Sequence, residues 1–462
     1  MKNEKIKNAL AKIGTSIKET MRIIDRSGLG VAFIVDKEER LLGVVTDGDI
    51  RRAILKGVNI DKPVEEIMNK KPIFIKGKIV KKEILRLKKD KEVKDKIPLI
   101  VPLVDENEKI KDTIFIYNEK QTNSLGFGKG AGLFNKGVKK VLVIGGAGYM
   151  GSVLCRKLLD EKYKVRVLDN LSYGDEGIRS LYKNKRFEFT KGSIDNISDI
   201  IEAVDGVDAV IHLAAIVGDP ACAVNPKETL KINYLATKNI IETCKFFQVN
   251  RFIFASSCSV YGASVLPNEK LTEDSPLNPV SLYAETKIRC EESILESIDE
   301  NFSPTILRMA TLYGYSPNMR FDLAVNIMTA NAVIDKKIKI FGGDQWRPWL
   351  SVKDASRAYI ACLKSPLNKV KGEIFNALSE NYKIIEVGKI INIVCPEAKI
   401  ENSDKITDKR DYNVSFENIH KKLNYRSREK LIDGVREIKN SIKKGLVGNY
   451  RDPKYRASLP QI

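Results

Sequence analysis

Short apolar runs alternate with longer amphipathic stretches after residue 138. Each run has the length of a buried strand, and each longer stretch repeats its apolar residues at helical spacing. The strand-like runs are "KVLVIG", "KVRVLD", "DAVIHLAA" and "RFIFASS", and the helix-like stretches include "SVLCRKLLDE" and "TLKINYLATKNIIETCKFF". This alternation predicts an α/β fold, a doubly wound parallel sheet with helices on both faces and ligand at the carboxyl ends of the strands.

The region from residue 14 to residue 120 has a different pattern that occurs twice. "GVAFIVD" and "LLGVVTD" predict two strands joined by a charged turn, and "GDIRRAILKG" follows at helical spacing. Downstream, "KKEILRLKKDKEV" predicts a helix, and "IPLIVPLVDE" and "KIKDTIFIY" predict a second strand pair. The repetition predicts two similar small α/β units.

A glycine-rich stretch, "NSLGFGKGAGLFNKG", separates the two regions. It is not attached to a strand and opens no helical pattern, so we interpret it as a flexible linker. The predicted organisation is a small α/β pair over residues 1–120, a linker over 121–138, a doubly wound domain over 139–448 and a C-terminal tail over 449–462.

Composition narrows the class of protein. A chain of 462 residues has room for two or three domains. Its net charge of +19 attracts anionic partners in general, but no nucleic-acid-binding motif accompanies the charge. No apolar run approaches the roughly 20 residues of a membrane span, and "MKNEKIKNALAKIG" lacks the apolar core of a secretory signal. We expect a cytoplasmic protein without a membrane or nucleic-acid partner.

Cysteine and histidine usage indicates neither disulfides nor a metal site. The seven cysteines are scattered without a C-x-x-C pair, and His212 and His420 are the only histidines in the sequence. We therefore expect no bound metal and no histidine base.

The glycines of "VLVIGGAGYMGS" follow the first strand of the doubly wound region and precede its first helix. Gly145, Gly148 and Gly151 have the spacing of a loop whose backbone amides face a pyrophosphate. Asp169 ends the second strand about twenty residues later, where an acid bonds the ribose hydroxyls and repels a 2′-phosphate. This Rossmann-type pattern predicts NAD rather than NADP; the alternative is a plain glycine turn with a turn-forming aspartate.

A serine-rich strand end and a Tyr-x-x-x-Lys pair supply candidate chemistry. "FASSCSVYG" contains Ser257, and "YAETK" runs from Tyr283 to Lys287 on a helical pattern. Residues four apart share a helix face, so the ammonium can stabilise a phenolate and lower the tyrosine pKa. Beside the glycine loop, this combination indicates proton transfer by Tyr283.

These motifs, together with "KGSIDN", "LRMATLYG" and "FGGDQWRPWLSVKD", resemble the extended short-chain dehydrogenase/reductase family of sugar-nucleotide epimerases and dehydratases, from residue 139 to about 445. The resemblance implies a small C-terminal substrate-binding subdomain and makes Ser257, Tyr283 and Lys287 catalytic. The implied cofactor contacts are Gly145, Gly148, Tyr149, Met150, Gly151, Asp169, Asn170, Ser193, Ile194, Leu213, Ala214, Ala215, Asn233, Tyr283 and Lys287; the implied substrate contacts are Asp219, Ser259, Asn326 and Arg347.

The resemblance also implies an activity, NAD-dependent epimerisation of a nucleoside-diphosphate sugar at carbon 4. Reduction of a 4-keto sugar nucleotide is an alternative, and so is 4,6-dehydration. Dehydration is disfavoured because Cys258 and Ser259 stand where dehydratases carry acids. An adenine-nucleotide or NAD sensor without catalysis is an alternative of another class. Helical pairing typical of the family predicts a homodimer.

The N-terminal motifs "SGLGVAFIVD" and "GVVTDGDIRRAI" resemble a cystathionine-β-synthase-type (CBS) regulatory domain pair. The resemblance implies an adenine-nucleotide site at which Thr46 contacts phosphate and Asp49 contacts ribose. The second unit has Asp112 and Phe115 where the motif requires glycine and threonine, so a single site is expected. Thr46 and Asp49 could equally form a helix N-cap, and the pair could serve only for dimerisation or tethering.

Overall fold

The computed structural model describes residues 8–27, 31–46, 49–50, 53, 57–77, 99–116, 137–263, 270–299, 301–403 and 410–456. The chain divides into two compact units, Met1–Leu133 and Phe134–Ile462. The division falls within the predicted linker, most of which lies outside the described residues. The helix predicted at "KKEILRLKKDKEV" also lies outside them.

The first unit contains two small sheets of the same topology. In β1-β2-β3 and again in β4-β5-β6, the first two strands are parallel and the last two antiparallel. The two sheets thus repeat one topology, and Asp112 and Phe115 fall within β6. The elements are β1 Leu10–Lys12, α1 Ile17–Ser27, β2 Val31–Val35, β3 Leu41–Thr46, a 3₁₀ turn Val64–Glu66, β4 Ile75–Lys76, β5 Leu99–Val104 and β6 Ile110–Ile116.

The two antiparallel hairpins close with equivalent turns. The carboxylates of Asp36 and Asp105 accept hydrogen bonds from the backbone N–H groups of Arg40 and Lys109, at 2.8 and 2.9 Å. A carboxylate that bonds a backbone amide further along its own turn fixes the turn locally. The duplication therefore extends from sheet topology to turn chemistry.

The second unit alternates strands and helices, as its sequence pattern predicts. Its elements are β7 Lys140–Ile144, α2 Tyr149–Asp160, β8 Lys164–Asp169, β9 Phe187–Lys191, α3 Ile197–Val204, β10 Ala209–His212, α4 Asp219–Val224, α5 Pro226–Thr229, a π-helix Leu230–Leu235, α6 Ala236–Phe246, β11 Arg251–Ser257, α7 Leu282–Glu296, β12 Ser303–Met309, β13 Thr311–Tyr313, α8 Ala324–Ile334, β14 Lys337–Phe341, β15 Trp346–Ser351, α9 Val352–Lys364, β16 Glu373–Ala377, β17 Glu380–Lys383, α10 Ile384–Val394, β18 Lys399–Ser403, α11 Glu417–Leu423 and α12 Leu431–Lys443. Short 3₁₀ turns occur at Arg179–Leu181, Cys258–Tyr261, Leu367–Lys369 and Pro453–Tyr455.

Seven strands form one parallel sheet in the order β9-β8-β7-β10-β11-β12-β16. Alternate residues of β7 face opposite layers: Val143 packs with Leu154 of α2, whereas Leu142 packs with Ile240 of α6. Burial on both faces explains the continuous apolar runs of the sequence. The strand order reverses between β7 and β10, where a doubly wound sheet opens a ligand crevice.

The C-terminal subdomain combines the small sheets β13-β15-β17 and β14-β18 with helices α8, α10 and α12. Residues predicted to form a tail after 448 pack against this unit instead. Tyr450 is buried, and its hydroxyl oxygen lies 2.9 Å from Asn331 Oδ1 and 2.5 Å from Asp335 Oδ2. The sequence did not predict this packing, because the polar and aromatic residues after 448 have no helical or strand periodicity.

A buried ion pair joins α7 to the central sheet. The guanidinium of Arg308 on β12 donates from Nη2 to Glu291 Oε2 at 2.7 Å and from Nε to Oε1 at 3.1 Å. Both side chains are almost fully buried, and Ser256 on β11 also donates to Glu291. One carboxylate thus connects the helix to two strands.

We expect Glu291→Gln to lower the free energy of unfolding by about 3–5 kcal/mol, because it leaves the buried Arg308 charge uncompensated. Glu417→Gln is the matched control, since it removes an exposed pair with Lys421 at 2.6 Å and should leave the free energy of unfolding nearly unchanged. Urea unfolding followed by circular dichroism measures both. Equal shifts in the two variants would contradict the assigned role of Glu291.

Candidate active site

The glycine loop lies where β7 passes into α2. Gly145 has a φ of +84°, and a Cβ there would come within 2.7 Å of the Ala214 backbone nitrogen. A Cβ at Gly151 would come within 2.3 Å of the Gly145 carbonyl oxygen. At Gly148, by contrast, the nearest atom to an added Cβ is 3.6 Å away. Protein packing explains two glycines, whereas at the third an added Cβ would make only an ordinary contact with the protein. Close approach of a pyrophosphate to the helix N-terminus would account for the third glycine.

Asp169 is fixed at the end of β8 beside this loop. Its two carboxylate oxygens accept the backbone N–H groups of Ala147 and Leu171, each at 2.9 Å. Burial raises the pKa of Asp169 above its usual range. The adjacent Asn170 closes the turn by accepting from Ser172. This places the carboxylate at the glycine loop, where the prediction puts a ribose.

Asp195, the acidic residue of the "GSIDN" motif, lies at the same edge of the sheet. Ser193 donates its hydroxyl to Asp195, whose other oxygen pairs with Lys231 Nζ at 2.6 Å. The hydrogen bond from Lys231 lowers the pKa of Asp195. Ile194 is buried in the core. Both carboxylate oxygens of Asp195 therefore have partners within the protein.

A π-helical turn holds the loop that follows β10. Asn233, in the π-helix Leu230–Leu235, accepts the Ile216 N–H at 2.8 Å and donates to the Ile216 carbonyl at 3.0 Å. Its own carbonyl accepts from Thr237 Oγ1 at 2.7 Å and Cys290 Sγ at 3.0 Å. The turn therefore fixes the loop through an amide clamp.

Leu213, Ala214 and Ala215 lead from β10 into that clamped loop. The N–H groups of Leu213 and Ala214 both donate to the carbonyl of Ile144, at 2.9 and 3.0 Å. These contacts bring the end of β10 against the start of the glycine loop. The predicted cofactor residues of the glycine loop and of the segment after β10, which are far apart in sequence, thus lie at one edge of the sheet.

Asn326 proves to be a bridge within the protein. Its Nδ2 donates to Tyr149 Oη at 3.2 Å and to the Arg320 carbonyl at 2.9 Å, while its Oδ1 accepts the Gly314 N–H at 3.1 Å. Tyr149 in turn donates to the Gly314 carbonyl at 2.7 Å. Because both amide hydrogens are used, the geometry gives no support to the predicted substrate contact of Asn326. Met150 packs beside Tyr149.

Ser257, Tyr283 and Lys287 are brought together by β11 and α7. Ser257 is the last residue of β11, and its Oγ accepts the Ser259 N–H at 3.1 Å. The side chain of Ser257 acts to lower the pKa of Tyr283. Lys287, one helical turn after Tyr283, donates Nζ to the Ala255 carbonyl at 2.7 Å and lies 5.7 Å from the Tyr283 ring centroid.

Burial and charge set the protonation of this cluster. Burial raises the pKa of Tyr283, whereas the charge of Arg320 and the side chain of Ser257 act to lower it. Burial lowers the pKa of Lys287. Arg320 carries no sequence signal, because one arginine among 79 basic residues is recognisable only by its neighbours in space.

The segment that starts α4 lies on the same side as the Tyr283 phenol. Asp219 and Cys222 both interact electrostatically with Tyr283. Burial raises the pKa of Cys222 to about 11, and its Sγ donates to the Ile216 carbonyl at 3.3 Å. Asp219 Oδ2 lies 3.6 Å from Arg410 Nη1, and its Oδ1 is buried without a hydrogen bond from any residue the structure describes.

The two residues after Ser257 differ in environment. Cys258 is buried and donates Sγ to the Arg308 carbonyl at 3.3 Å, and burial raises its thiol pKa. Ser259 is also buried, but its hydroxyl has no hydrogen-bond partner in the described part of the chain. Cys258 is therefore a packed thiol, while Ser259 keeps a hydroxyl available for a ligand.

Arg347 lies on β15 in the C-terminal subdomain. It is buried, with its guanidinium 5.5 Å from the Tyr412 ring centroid and Nη1 donating to the Trp346 carbonyl at 2.8 Å. The sequence predicts that Arg347 binds the substrate diphosphate, and that role stays a prediction.

His212 has the structural role expected of it. Burial lowers its pKa to about 3, and Nε2 lies 3.0 Å from Thr237 Oγ1. The buried imidazole packs against Phe252 and Phe254, and its low pKa makes it a weak base, which suits a structural role. Within the described ranges, no cluster of histidine, cysteine or acidic side chains could hold a metal, and no helix is long and apolar enough to cross a membrane.

In the N-terminal unit, Thr46 and Asp49 bond each other. The Thr46 N–H and hydroxyl donate to Asp49 Oδ2 at 2.9 and 2.7 Å, and the Asp49 N–H donates to Thr46 Oγ1 at 3.2 Å. This reciprocal arrangement is a helix cap. It holds both polar side chains at the end of β3, where the nucleotide site is predicted.

The fold and the site define an NAD-binding enzyme of the doubly wound class. Sequence comparison agrees: the model of the NAD dependent epimerase/dehydratase family matches residues 141–377, and that of the CBS domain matches residues 9–56. The chain belongs to the NAD-dependent epimerase/dehydratase family, its cofactor is NAD, and it carries an N-terminal CBS domain.

Individual relatives agree with this membership. An uncharacterised UDP-glucose epimerase of Bacillus subtilis (strain 168) is 32% identical over 280 residues, covering 58% of this chain and 86% of the relative. A UDP-glucose 4-epimerase of the same organism is 28% identical, covering 54% and 80%. The structure of UDP-glucuronic acid 4-epimerase from Bacillus cereus, in complex with UDP-glucuronic acid and NAD, superposes with a TM-score of 0.59 at 28% identity, covering 66% of this chain and 99% of that one.

We expect Gly148→Ala to fold normally, because an added Cβ has 3.6 Å of clearance, but to lose roughly tenfold or more in NAD affinity, a cost of at least about 1.4 kcal/mol. The methyl group would occupy the space over the helix N-terminus. Calorimetric titration with NAD and a thermal melt measure the two effects. Gly137→Ala, where nothing lies within 4 Å of the new Cβ, is the control. Unchanged NAD affinity in Gly148→Ala would contradict the pyrophosphate assignment.

Proposed function

We propose that this protein is an NAD-dependent nucleoside-diphosphate-sugar epimerase that inverts carbon 4 in carbohydrate biosynthesis. The observation that carries the proposal is the clustering of Ser257, Tyr283 and Lys287 at the same sheet edge as the glycine loop, with Lys287 one helical turn after Tyr283 and its Nζ 5.7 Å from the Tyr283 ring centroid. The 4-epimerases among the relatives support the choice of reaction.

The residues fit NAD: Gly148 leaves space for a pyrophosphate, and Asp169 offers carboxylate oxygens for a ribose. When bound, NAD supplies a reversible hydride acceptor. Ser257 orients the sugar hydroxyl, Tyr283 takes its proton and later returns it, and Lys287 stabilises the phenolate. Binding of the substrate diphosphate, which we assign to Arg347, supplies energy remote from the reacting carbon.

The environment of Cys258 argues against dehydration. A dehydratase needs an acid and a base beside the catalytic hydroxyl, whereas the Cys258 thiol is buried against a backbone carbonyl and Ser259 offers a neutral hydroxyl. We assign Ser259 and Asp219 to contacts with the sugar, because both have polar oxygens without partners among the described residues.

We expect Tyr283→Phe to lower the rate of epimerisation by about a hundredfold or more, because the phenol oxygen that moves the proton is removed. Purified protein is incubated with UDP-, GDP-, dTDP- and CDP-sugars, and the products are separated by chromatography. Tyr182→Phe, which changes an exposed tyrosine, is the control.

A stereoisomer formed by the native protein and lost in Tyr283→Phe supports the proposal. Stoichiometric consumption of NADH or NADPH would instead identify a 4-keto reductase, and a 4-keto product a dehydratase. Activity at the native rate in Tyr283→Phe, or no reaction with any sugar nucleotide, would overturn the epimerase assignment. Absence of reaction with every sugar nucleotide would favour the alternative in which the protein is a nucleotide sensor without catalysis.

We further propose a cytoplasmic homodimer. All seven cysteines are free thiols, as a reducing compartment maintains them. The solvent faces of α6 and α7 carry charges of both signs, and Leu235 and Phe246 are exposed beside or on α6. A mixed surface of this kind suits a two-fold interface in which unlike charges pair.

For the N-terminal unit, we propose that an adenine nucleotide binds at Thr46 and Asp49. We expect calorimetry with AMP, ADP and ATP to detect binding to the full-length protein, and we expect Asp49→Ala to abolish it. Asp36→Ala, which removes a carboxylate from a hairpin turn, should bind normally. A nucleotide that alters sugar-nucleotide affinity must have its own affinity altered by the same factor. If no nucleotide binds, the role left for the N-terminal unit is dimerisation or tethering.

A further inference from the structure

Phe254 is buried on β11, three residues before Ser257, and its ring faces the ammonium of Lys287. Lys287 Nζ lies 4.6 Å from the Phe254 ring centroid and 5.7 Å from the Tyr283 ring centroid. The same Nζ donates to the Ala255 carbonyl at 2.7 Å. The ammonium is thus held between a backbone carbonyl and an aromatic face, next to the phenol that we propose as the base.

The two neighbouring strands of the sheet hold the Phe254 ring in place. Phe254 pairs in register with His212 of β10 and with Ile306 of β12. The His212 and Phe254 ring centroids lie 5.6 Å apart, and His212 Nε2 lies 3.0 Å from Thr237 Oγ1 of α6. Ile306 is buried in the same apolar cluster as Phe254. Because the ring has neighbours on both sides, it has little freedom to turn away from Lys287.

The Lys287 ammonium lies where water is largely excluded. The side chain is almost fully buried, and burial lowers its pKa because removal from water disfavours the charged form. The face of an aromatic ring carries partial negative charge and attracts a cation, more strongly where both are removed from water. The contact with Phe254 therefore offsets part of the cost of burying this charge.

Other titratable groups also act on Lys287. Three of them act to raise its pKa: Cys222 of α4, and Cys290 and Glu291 of α7. Burial raises the pKa of both thiols to about 11, so they are uncharged near neutral pH. Glu291 is already paired with Arg308 at 2.7 Å. His212 has a pKa of about 3, so it packs against the Phe254 ring without placing a second positive charge beside the ammonium.

We infer that Phe254 is a positioning residue for catalysis, whose aromatic face holds the Lys287 ammonium beside Tyr283. The inference rests on the proposed function, in which Tyr283 is the base and the charge of Lys287 stabilises its phenolate. Proton transfer from a sugar hydroxyl then requires the phenolate and the ammonium together. Loss of the aromatic face lowers the fraction of Lys287 that is charged, and the loss is felt most at high pH, where the ammonium gives up its proton.

We expect Phe254→Leu to move the alkaline limb of the kcat/KM profile to lower pH by about one unit, because the ammonium form of Lys287 loses its aromatic contact and its pKa falls. The profile is measured on the NAD-loaded protein with the sugar nucleotide that epimerises fastest in the panel. Carbon-13 NMR of the lysine Cε atoms, with Lys287→Met to assign the signal, follows the same titration without turnover. Phe254→Met fills a similar volume with a flexible side chain. It should show the same shift, and it replaces Phe254→Leu if that variant does not fold.

Phe252→Leu is the matched control. Phe252 lies two residues earlier on the same strand, is equally buried and packs against the Phe302 ring at 5.6 Å. Its replacement removes a buried ring but keeps the contact between Phe254 and Lys287, so the pH profile should stay native. If Tyr283→Phe is inactive but Phe254→Leu titrates like the native protein, or shifts no more than Phe252→Leu, the inference is overturned and the proposed function stands. If Tyr283→Phe retains native activity, the proposed function fails and the inference fails with it.

Discussion

The geometry of the candidate active site depends on one buried carboxylate, Glu291. It lies on α7 two helical turns after Tyr283 and one after Lys287, and residues at this spacing share a helix face. Arg308 of β12 and Ser256 of β11 both donate to it. Because Ser256 immediately precedes Ser257, this one interaction sets the register between the helix that carries the base and the strand that carries its hydroxyl partner.

Close backbone contact plays the corresponding role at the cofactor side. The approach of Gly151 to the Gly145 carbonyl brings the N-terminus of α2 directly over the end of β7. Asn233 and the carbonyl of Ile144 hold the neighbouring loop in place. These contacts are made entirely by protein groups. The cradle is therefore preorganised, and binding NAD requires little further ordering of this loop.

Polar residues that the sequence assigns to ligand binding also serve the fold, as two places show. Thr46 and Asp49 complete a helix cap in the first unit and also present a hydroxyl and a carboxylate at a strand end. Asn326, which the sequence assigns to substrate, connects Tyr149, Gly314 and Arg320 and uses both of its amide hydrogens within the protein. Hydrogen-bond geometry distinguishes the two roles, because an amide with every hydrogen committed has none to give a ligand.

The sequence alone determined the alternation of strands and helices, the duplicated N-terminal units, the glycine loop with Asp169, and the grouping of Ser257, Tyr283 and Lys287. Each depends on local periodicity or short spacing, which sequence records directly. Tertiary structure alone decided that Asn326 is a bridge, that Asp195 pairs with Lys231, and that residues 450–455 pack onto the domain. These facts depend on distances between residues remote in sequence, and chain folding sets such distances without leaving a periodic trace.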